Sequence, residues 1–461
     1  MSGVALTRSP ARTDVPATSQ LRRTAAGWTI LAVLAANAAV VVWLWWHGGN
    51  VTGVHSTGDL FTSIGRITGL LSAYLALVQV VLLSRIPALE RAIGFDRLTR
   101  WHRWNGHACV DLVIAHVVFI VWGYALMDKF TVGKEISTML GGGVYPGMIT
   151  ATIGTAFLIA VGFTSYAIAR RRLPYEWWYA VHLLAYAGIA LAWFHEIPTG
   201  NELVLHRFAD DYWRALFAAT IAIVAGFRVV VPLVNGLRYR LRVEEVVVEG
   251  PGVVSVRIGG RRLERLRAES GQFFLWRFLD RRRLWTAHPF SLSEAPGGST
   301  LRITVKALGD HTARLGELRP GTRVLAEGPL GTFTEAVRRS PKALLVAGGI
   351  GITPVRALLE TMRGDLVVVY RALADSDLVL RDELDELAAG RDATVHYVVG
   401  DHRGDGASLL SPSHLEELVP DVAERDVYLC GPPGMTSALE RTIRAVRVPR
   451  RRVHVERFAL T

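Results

Sequence analysis

Apolar runs long enough to cross a bilayer recur six times in the first half of the chain, at roughly 27–46, 63–84, 104–126, 147–169, 177–197 and 211–235. The pattern then changes. After Arg238 it becomes short alternating runs such as LRVEEVVVEG and VVSVRIGG, separated by Gly and Pro, which predict a small antiparallel β-barrel reaching to about residue 335. From about 336 continuous apolar runs alternate with helical ones: KALLVAGG, DLVVVYRA, ATVHYVVG and DVYLC read as buried parallel strands of an α/β domain. Residues 1–26 mix Ser, Thr, Pro and Arg without periodicity and predict a disordered arm. The expected organisation is therefore 1–26 arm, 27–236 six-helix transmembrane bundle, 237–335 antiparallel barrel and 336–461 Rossmann-like α/β domain.

Composition fits that division. Half of the 461 residues are hydrophobic, and a positive mean hydropathy of +0.27 is unusual for a soluble chain. The net charge of +11 would suit nucleic acid. The basic residues instead sit where membrane topology wants them. Arg22 and Arg23 precede the first span, Arg85, Arg91, Arg97, Arg100 and Arg103 lie between the second and third, and Arg170, Arg171 and Arg172 follow the fourth. The opposite loops hold little beyond Lys129, Lys134 and Arg207, so the positive-inside rule predicts an integral protein of the plasma (inner) membrane with both termini cytoplasmic. Cys109 and Cys430 are the only cysteines, which excludes a disulfide framework and a cysteine zinc site.

Candidate chemistry begins in the third span. WHRWNGHACVDLVIAHVVFI places His102 and His116 fourteen residues apart, about 1400° of helix and ~21 Å of rise, so both point to nearly the same side. The fifth span carries His182 and His195 thirteen apart. That is about 1300°, roughly 140° short of four turns, and requires local overwinding or a different ring approach. A single intramembrane histidine is more often a helix contact or a pore residue. Two matched pairs favour two stacked haems, His102 with His182 at the inner level and His116 with His195 at the outer, each iron taking one imidazole from either helix. His107 falls half a turn out of phase and reads as a packing residue.

The second half carries nucleotide signals. A Gly-Asp-His-Thr turn (Gly309 to Thr312) opening a short helix offers backbone N–H groups to a phosphate. Gly348, Gly349 and Gly351 follow a buried strand and let the backbone approach a pyrophosphate, with Thr353 and Pro354 in the first turn of the next helix. DVYLCGPPGM ends another strand in a Cys-Gly-Pro turn, where parallel sheets bind ligands. Each piece alone is equally a bare turn or tight βα connection.

In order, HPFS, GDHT, GPLGTF, GGIGITP, CGPPGM and a terminal ERF resemble the ferredoxin-reductase-like FAD and NAD(P) module. Joined to six spans with paired histidines, the chain resembles the ferric reductase and NADPH oxidase superfamily from residue 27 to its end. The resemblance implies that His288, Pro289, Phe290 and Ser291 bind the flavin, with Ser291 near its reactive edge, and that Gly309, Asp310, His311 and Thr312 hold the FAD pyrophosphate. It implies further that Gly348, Gly349, Gly351, Thr353 and Pro354 hold the NAD(P)H pyrophosphate and that Cys430, Gly431 and Pro432 border the nicotinamide. Glu456 and Phe458 match the family's acidic and aromatic terminal residues, so Ser291, Cys430, Glu456 and Phe458 form the expected catalytic set. Soluble relatives commonly have Arg-x-Tyr-Ser in place of HPFS, which shifts phosphate contacts to other residues such as Arg314. Arg403 resembles in position the arginine that binds the 2′-phosphate in NADP-using relatives, with Arg371 at the end of the preceding strand, which favours NADPH over NADH.

The implied activity is that of an NAD(P)H-dependent flavohaem oxidoreductase, passing electrons from cytoplasmic NAD(P)H through FAD and two b-type haems to a small acceptor outside, ferric iron or oxygen. Two rivals carry different expectations. A non-redox transporter with a nucleotide-binding regulatory tail would show no haem absorbance. A donor to a periplasmic or extracellular protein partner would show the same spectra without turnover of small acceptors.

Overall fold

The computed structural model describes residues 17–141, 145–166, 173, 175–280, 283, 286–391, 393–400 and 409–457. The chain divides into two compact units, one made of Ala25–Leu89 with Asp96–Val229 and the other chiefly of Val230–Thr461 with the segment Glu90–Phe95.

The first unit is built on six long helices: α1 (Ala17–Trp45), α2 (Thr57–Leu82), α3 (Phe95–Met127), α4 (Met148–Ser165), α5 (Tyr175–Thr199) and α6 (Arg207–Ala225). All six are long and apolar enough to cross a membrane. Several start earlier than the apolar runs because polar caps extend them. Ahead of α2, the Ser56 Oγ accepts the Asp59 N–H at 3.1 Å and donates to the Asp59 carboxylate at 2.8 Å, satisfying the first turn reciprocally. Large apolar side chains such as Trp43, Phe163, Phe194 and Ile221 face outward, as a lipid-facing surface requires. The inward contacts are made by small residues instead. Gly58, Thr62, Gly65, Gly69 and Ser72 form a seam along α2 at helical spacing, and a Cβ on Gly65 or Gly69 would run into Ile120 or His116 of α3. Ser72 closes the seam by donating to the Cys109 carbonyl at 2.9 Å.

Among the described residues the second unit holds eleven strands. β1 (Arg242–Gly250), β2 (Val253–Gly259), β3 (Phe273–Phe278), β4 (His288–Ser291), β5 (Thr300–Lys306) and β6 (Val324–Leu330) make two antiparallel three-stranded sheets, ordered β1-β2-β5 and β4-β3-β6. Isolated bridges join Arg242 to Arg323 and Leu292 to Ile303. Where a single barrel was expected, the described strands form two sheets, with register shifts at Val243/Glu245 and Phe273/Leu275. Phe274, Trp276, Ile258 and Ile303 fill the space between them. β7 (Lys342–Gly348), β8 (Asp365–Ala372), β9 (Thr394–Val399), β10 (Asp426–Cys430) and β11 (Val453–Glu456) form one parallel sheet ordered β11-β10-β7-β8-β9. The helices α7 (Ile352–Thr361), α8 (Arg381–Ala389), α9 (Pro412–Leu418) and α10 (Pro433–Ala445) complete this part, and the apolar residues of its central strands are buried. That is why its strands read as unbroken apolar runs.

Candidate functional site

Within the helical unit, α3 and α5 bring the four predicted histidines together in two pairs. The His102 and His182 rings lie 6.0 Å apart at 52°, and those of His116 and His195 lie 6.4 Å apart at 54°. Two imidazoles bonding one metal from opposite sides at about 2.0 Å each would have ring centres about 6.3 Å apart. The donor set is also telling. Among the described residues no group of three or more His, Cys, Asp or Glu is placed to hold a metal ion. Two imidazoles per level would suit the iron of a cofactor that brings its own ring nitrogens, so these residues would hold a haem.

Each ring is oriented through its Nδ1. His102 Nδ1 lies 3.0 Å from the Gln79 carbonyl and His116 Nδ1 2.7 Å from the Gly65 carbonyl. A carbonyl can only accept, so Nδ1 carries the proton and Nε2 keeps its lone pair. His195 Nδ1 lies 2.8 Å from the Thr199 hydroxyl, whose own hydrogen points to the His195 carbonyl at 2.6 Å, which makes the hydroxyl the acceptor. His182 Nδ1 stands 3.5 Å from the Ser165 hydroxyl, and Trp178 stacks on its ring at 4.9 Å. The thirteen-residue interval is taken up without overwinding: α5 is α-helical throughout from His182 to His195, so ring approach makes the difference. His107 stacks on Tyr166 at 4.8 Å, outside both pairs.

Gln79, Gly65, Thr199 and Ser165 were not picked out from the sequence. Thr199 was readable, being four residues after His195 on one helix face. The carbonyls of Gln79 and Gly65 carry no side-chain signature at all.

In the second unit the HPFS segment is strand β4, paired with β3 so that Phe273 faces Ser291 and Trp276 faces His288. Trp276 donates its indole N–H to the Phe290 carbonyl at 2.9 Å, and the His288 and Phe290 rings lie parallel 6.3 Å apart. Burial lowers the His288 pKa and favours the neutral ring. The Ser291 hydroxyl is buried with no hydrogen-bond partner among the described residues, an orphan that a bound ligand would satisfy. At the GDHT turn, Thr312 Oγ1 accepts the N–H of Gly309 at 3.1 Å and that of the preceding Leu308 at 2.8 Å, so one of the amides expected to face a phosphate, that of Gly309, is already engaged. The Asp310 and His311 side chains lie outside the described residues, and Arg314 is exposed.

The glycine-rich turn leaves the central strand β7 and enters α7 through Gly349–Gly351. Gly351 lies so close to the Cys430 carbonyl that a Cβ there would collide with it, and a Cβ on Gly348 would strike Met435. The carboxyl ends of β7 and β10 thus meet, and Cys430 sits opposite Ala347 on one side and Glu456 of β11 on the other. Burial pushes the Cys430 thiol up, with the Glu456 carboxylate adding to it, so the thiol is neutral. The Glu456 carboxylate approaches Gly331, just past β6, where the Phe273 ring also lies. Thr353 Oγ1 donates to the Ile350 carbonyl at 3.1 Å and ties the turn to the helix. The Arg371 guanidinium is occupied by the carbonyls of Ala372, Val398 and Gly400, so it braces the strand ends rather than presenting itself to a nucleotide. Arg403 and Phe458 lie outside the described residues, as do Arg170, Arg171 and Arg172.

A glycine-rich turn at the carboxyl end of a central parallel strand is where such sheets bind nucleotides, and here it shares one chain with an antiparallel part carrying an orphaned serine and with six apolar helices. Comparison with known proteins agrees. Residues 68–193 match the ferric reductase like transmembrane component, 239–333 an FAD-binding domain and 345–441 an oxidoreductase NAD-binding domain. The chain belongs to the ferric reductase and NADPH oxidase superfamily.

Among curated relatives, ferredoxin–NADP reductase B of Sorangium cellulosum is 32% identical over 37% of this chain and 77% of its own length. NADH-cytochrome b5 reductase 1 of Laccaria bicolor is 27% identical over 35% of this chain and 56% of its own length, so the chain spans about half of that relative. Among solved structures, the flavohem-like FAD/NAD-binding domain of nitric oxide dioxygenase from Vibrio cholerae is 21% identical, covering 47% of this chain and 97% of that one with a TM-score of 0.40.

Proposed function

We propose that the protein carries electrons across a membrane, from cytoplasmic NAD(P)H through FAD and two b-type haems to an acceptor on the outer side, ferric iron or oxygen. The observation that carries this reading is the pair of facing imidazoles at each of two levels, 6.0 and 6.4 Å apart. FAD, when bound, supplies the conversion of a hydride pair into single electrons, and haem supplies one-electron carriage through the apolar layer. The residues do the rest. His102 with His182 and His116 with His195 hold one iron each, with Gln79, Gly65 and Thr199 fixing the ligating nitrogens. Ser291 directs its free hydroxyl at the flavin edge, and His288, Pro289 and Phe290 hold the ring. The turn Gly309 to Thr312 takes the FAD pyrophosphate through the amides that follow Gly309. Gly348 to Pro354 take that of the nicotinamide nucleotide, while Cys430, Gly431, Pro432 and Glu456 border its ring and Phe458 covers the flavin until the nicotinamide arrives. NADPH is the preferred donor through Arg403.

The test is a dithionite-reduced minus oxidised spectrum of the purified chain, with haem and flavin quantified. Two b-type haems and one FAD per chain are expected. His116→Ala and His195→Ala should each remove one haem and leave flavin reduction by NADPH intact. A chain without haem absorbance, or one that keeps both haems in these variants, refutes the assignment.

A further inference from the structure

Between the flavin-binding and nicotinamide-binding parts of the second unit lies a network of charged side chains. Arg302 on β5 is almost wholly buried, and its guanidinium meets Glu383 of α8 with two parallel bonds of 2.7 Å. Arg356 of α7 donates to the same carboxylate at 2.9 Å and also pairs with Glu360 one turn on. Glu360 in turn accepts the Ala295 N–H at 2.7 Å. Arg302 reaches back to the Ser293 carbonyl at 3.0 Å. Burial works against the charge on Glu383, but the two guanidiniums outweigh it and hold its carboxyl below the usual range.

What the network touches gives it a role. Its flavin-side ends are Ser293 and Ala295, two and four residues after Ser291 on the same strand exit. Its nicotinamide-side ends are Arg356 and Glu360, on the helix that the glycine-rich turn opens. A bidentate guanidinium–carboxylate pair fixes angle as well as distance, which a single contact does not. We propose that Glu383, gripped by Arg302 and Arg356, is a positioning residue that sets the nicotinamide ring against the flavin for hydride transfer. This rests on the hydride reading of that site. In the step the C4–H bond of the nicotinamide breaks, its electron pair and hydrogen pass to the flavin, and the nicotinamide is left oxidised. Glu383 exchanges no proton and touches neither ring. Its contribution is orientation, to which such transfers are steeply sensitive.

The experiment is anaerobic stopped-flow reduction of the flavin in the purified full chain over a range of NADPH concentrations. Glu383→Gln keeps the shape and loses the charge. It should bind FAD and haem as the wild type does, with a limiting rate of flavin reduction roughly tenfold lower and a half-saturating NADPH concentration within about twofold. Glu383→Asp, which restores the charge one methylene short, should recover part of the rate. A Glu383→Gln protein that melts earlier but reduces its flavin at the wild-type limiting rate would show the pair to be a structural tie only, and would overturn the proposal. If that variant does not fold, Arg356→Gln, which removes the second donor and leaves the bidentate pair, carries the same two outcomes. Wild-type flavin that NADPH does not reduce would overturn the underlying reading of the site, a result separate from an unchanged rate in the variant.

Discussion

Thr199 decides which nitrogen of His195 carries its proton, because its hydroxyl hydrogen is committed to the His195 carbonyl and only its lone pairs remain for Nδ1. Partners of this kind orient a ligand and raise its basicity, and losing one typically costs about 10- to 100-fold in affinity. Thr199→Val preserves shape and removes the acceptor, so one haem should be retained roughly tenfold less well. Haem per chain after extended washing measures it, and equal loss of both haems would contradict the pairing. A different single-residue effect is expected at Glu135, on the short helix Val132–Leu140. Both carboxyl oxygens are buried without a hydrogen-bond partner among the described residues. Burial, helped by Asp128, raises its pKa. A carboxyl whose folded pKa lies above its unfolded value stabilises the fold at low pH and loses that contribution as pH rises through the folded value. Glu135→Gln should therefore melt higher than wild type at pH 8, by ~2–4 °C, with the gap closing at pH 5. Thermal melts at the two pH values in detergent decide it.

At the scale of elements, the seam between α2 and α3 is made of missing side chains. A Cβ on Gly69 would sit against the His116 ring, and one on Gly106 against the Gln79 side chain, so the histidine helix is seated by glycines on both partners. Gly69→Leu should displace His116 and cost one haem while the His102–His182 pair and NADPH-driven flavin reduction persist. Pyridine haemochrome and stopped-flow flavin absorbance test the two halves separately. The six spans themselves were legible from apolar runs, though α2 and α6 begin earlier than those runs because capping residues and a charged first turn extend them. The antiparallel strands were legible as alternation. Their division into two sheets was not, since register shifts arise from cross-strand packing that a one-dimensional pattern does not encode.

For the whole molecule, charge bears on the choice of electron donor. Arg403 was singled out by its place in the sequence after β9, and Arg371, at the end of β8, is occupied by backbone carbonyls. That leaves Arg403 as the 2′-phosphate partner on our reading, and Arg403→Ala should reduce the preference of NADPH over NADH by about tenfold in kcat/KM, in line with the loss of one charge-assisted contact. A preference unaltered by the substitution would remove Arg403 from the site. Steady-state rates with both nucleotides and an artificial acceptor supply the ratio.

The sequence by itself determined the six apolar helices and the strand types, because hydrophobic period and turn residues act locally and need no partner to be read. It also identified the four histidines, since an ionisable side chain inside an apolar run stands out in one dimension. Only the tertiary structure decided that backbone carbonyls and Thr199 select the histidine tautomers and that α5 takes up a thirteen-residue interval without overwinding. The same holds for Cys430 lying beside Gly351 and Glu456, and for Arg302 closing on Glu383. These are contacts between residues far apart in the chain. Their partners are set by which helix faces and strand ends pack together, and that is fixed by the summed packing of the unit rather than by any local run of residues.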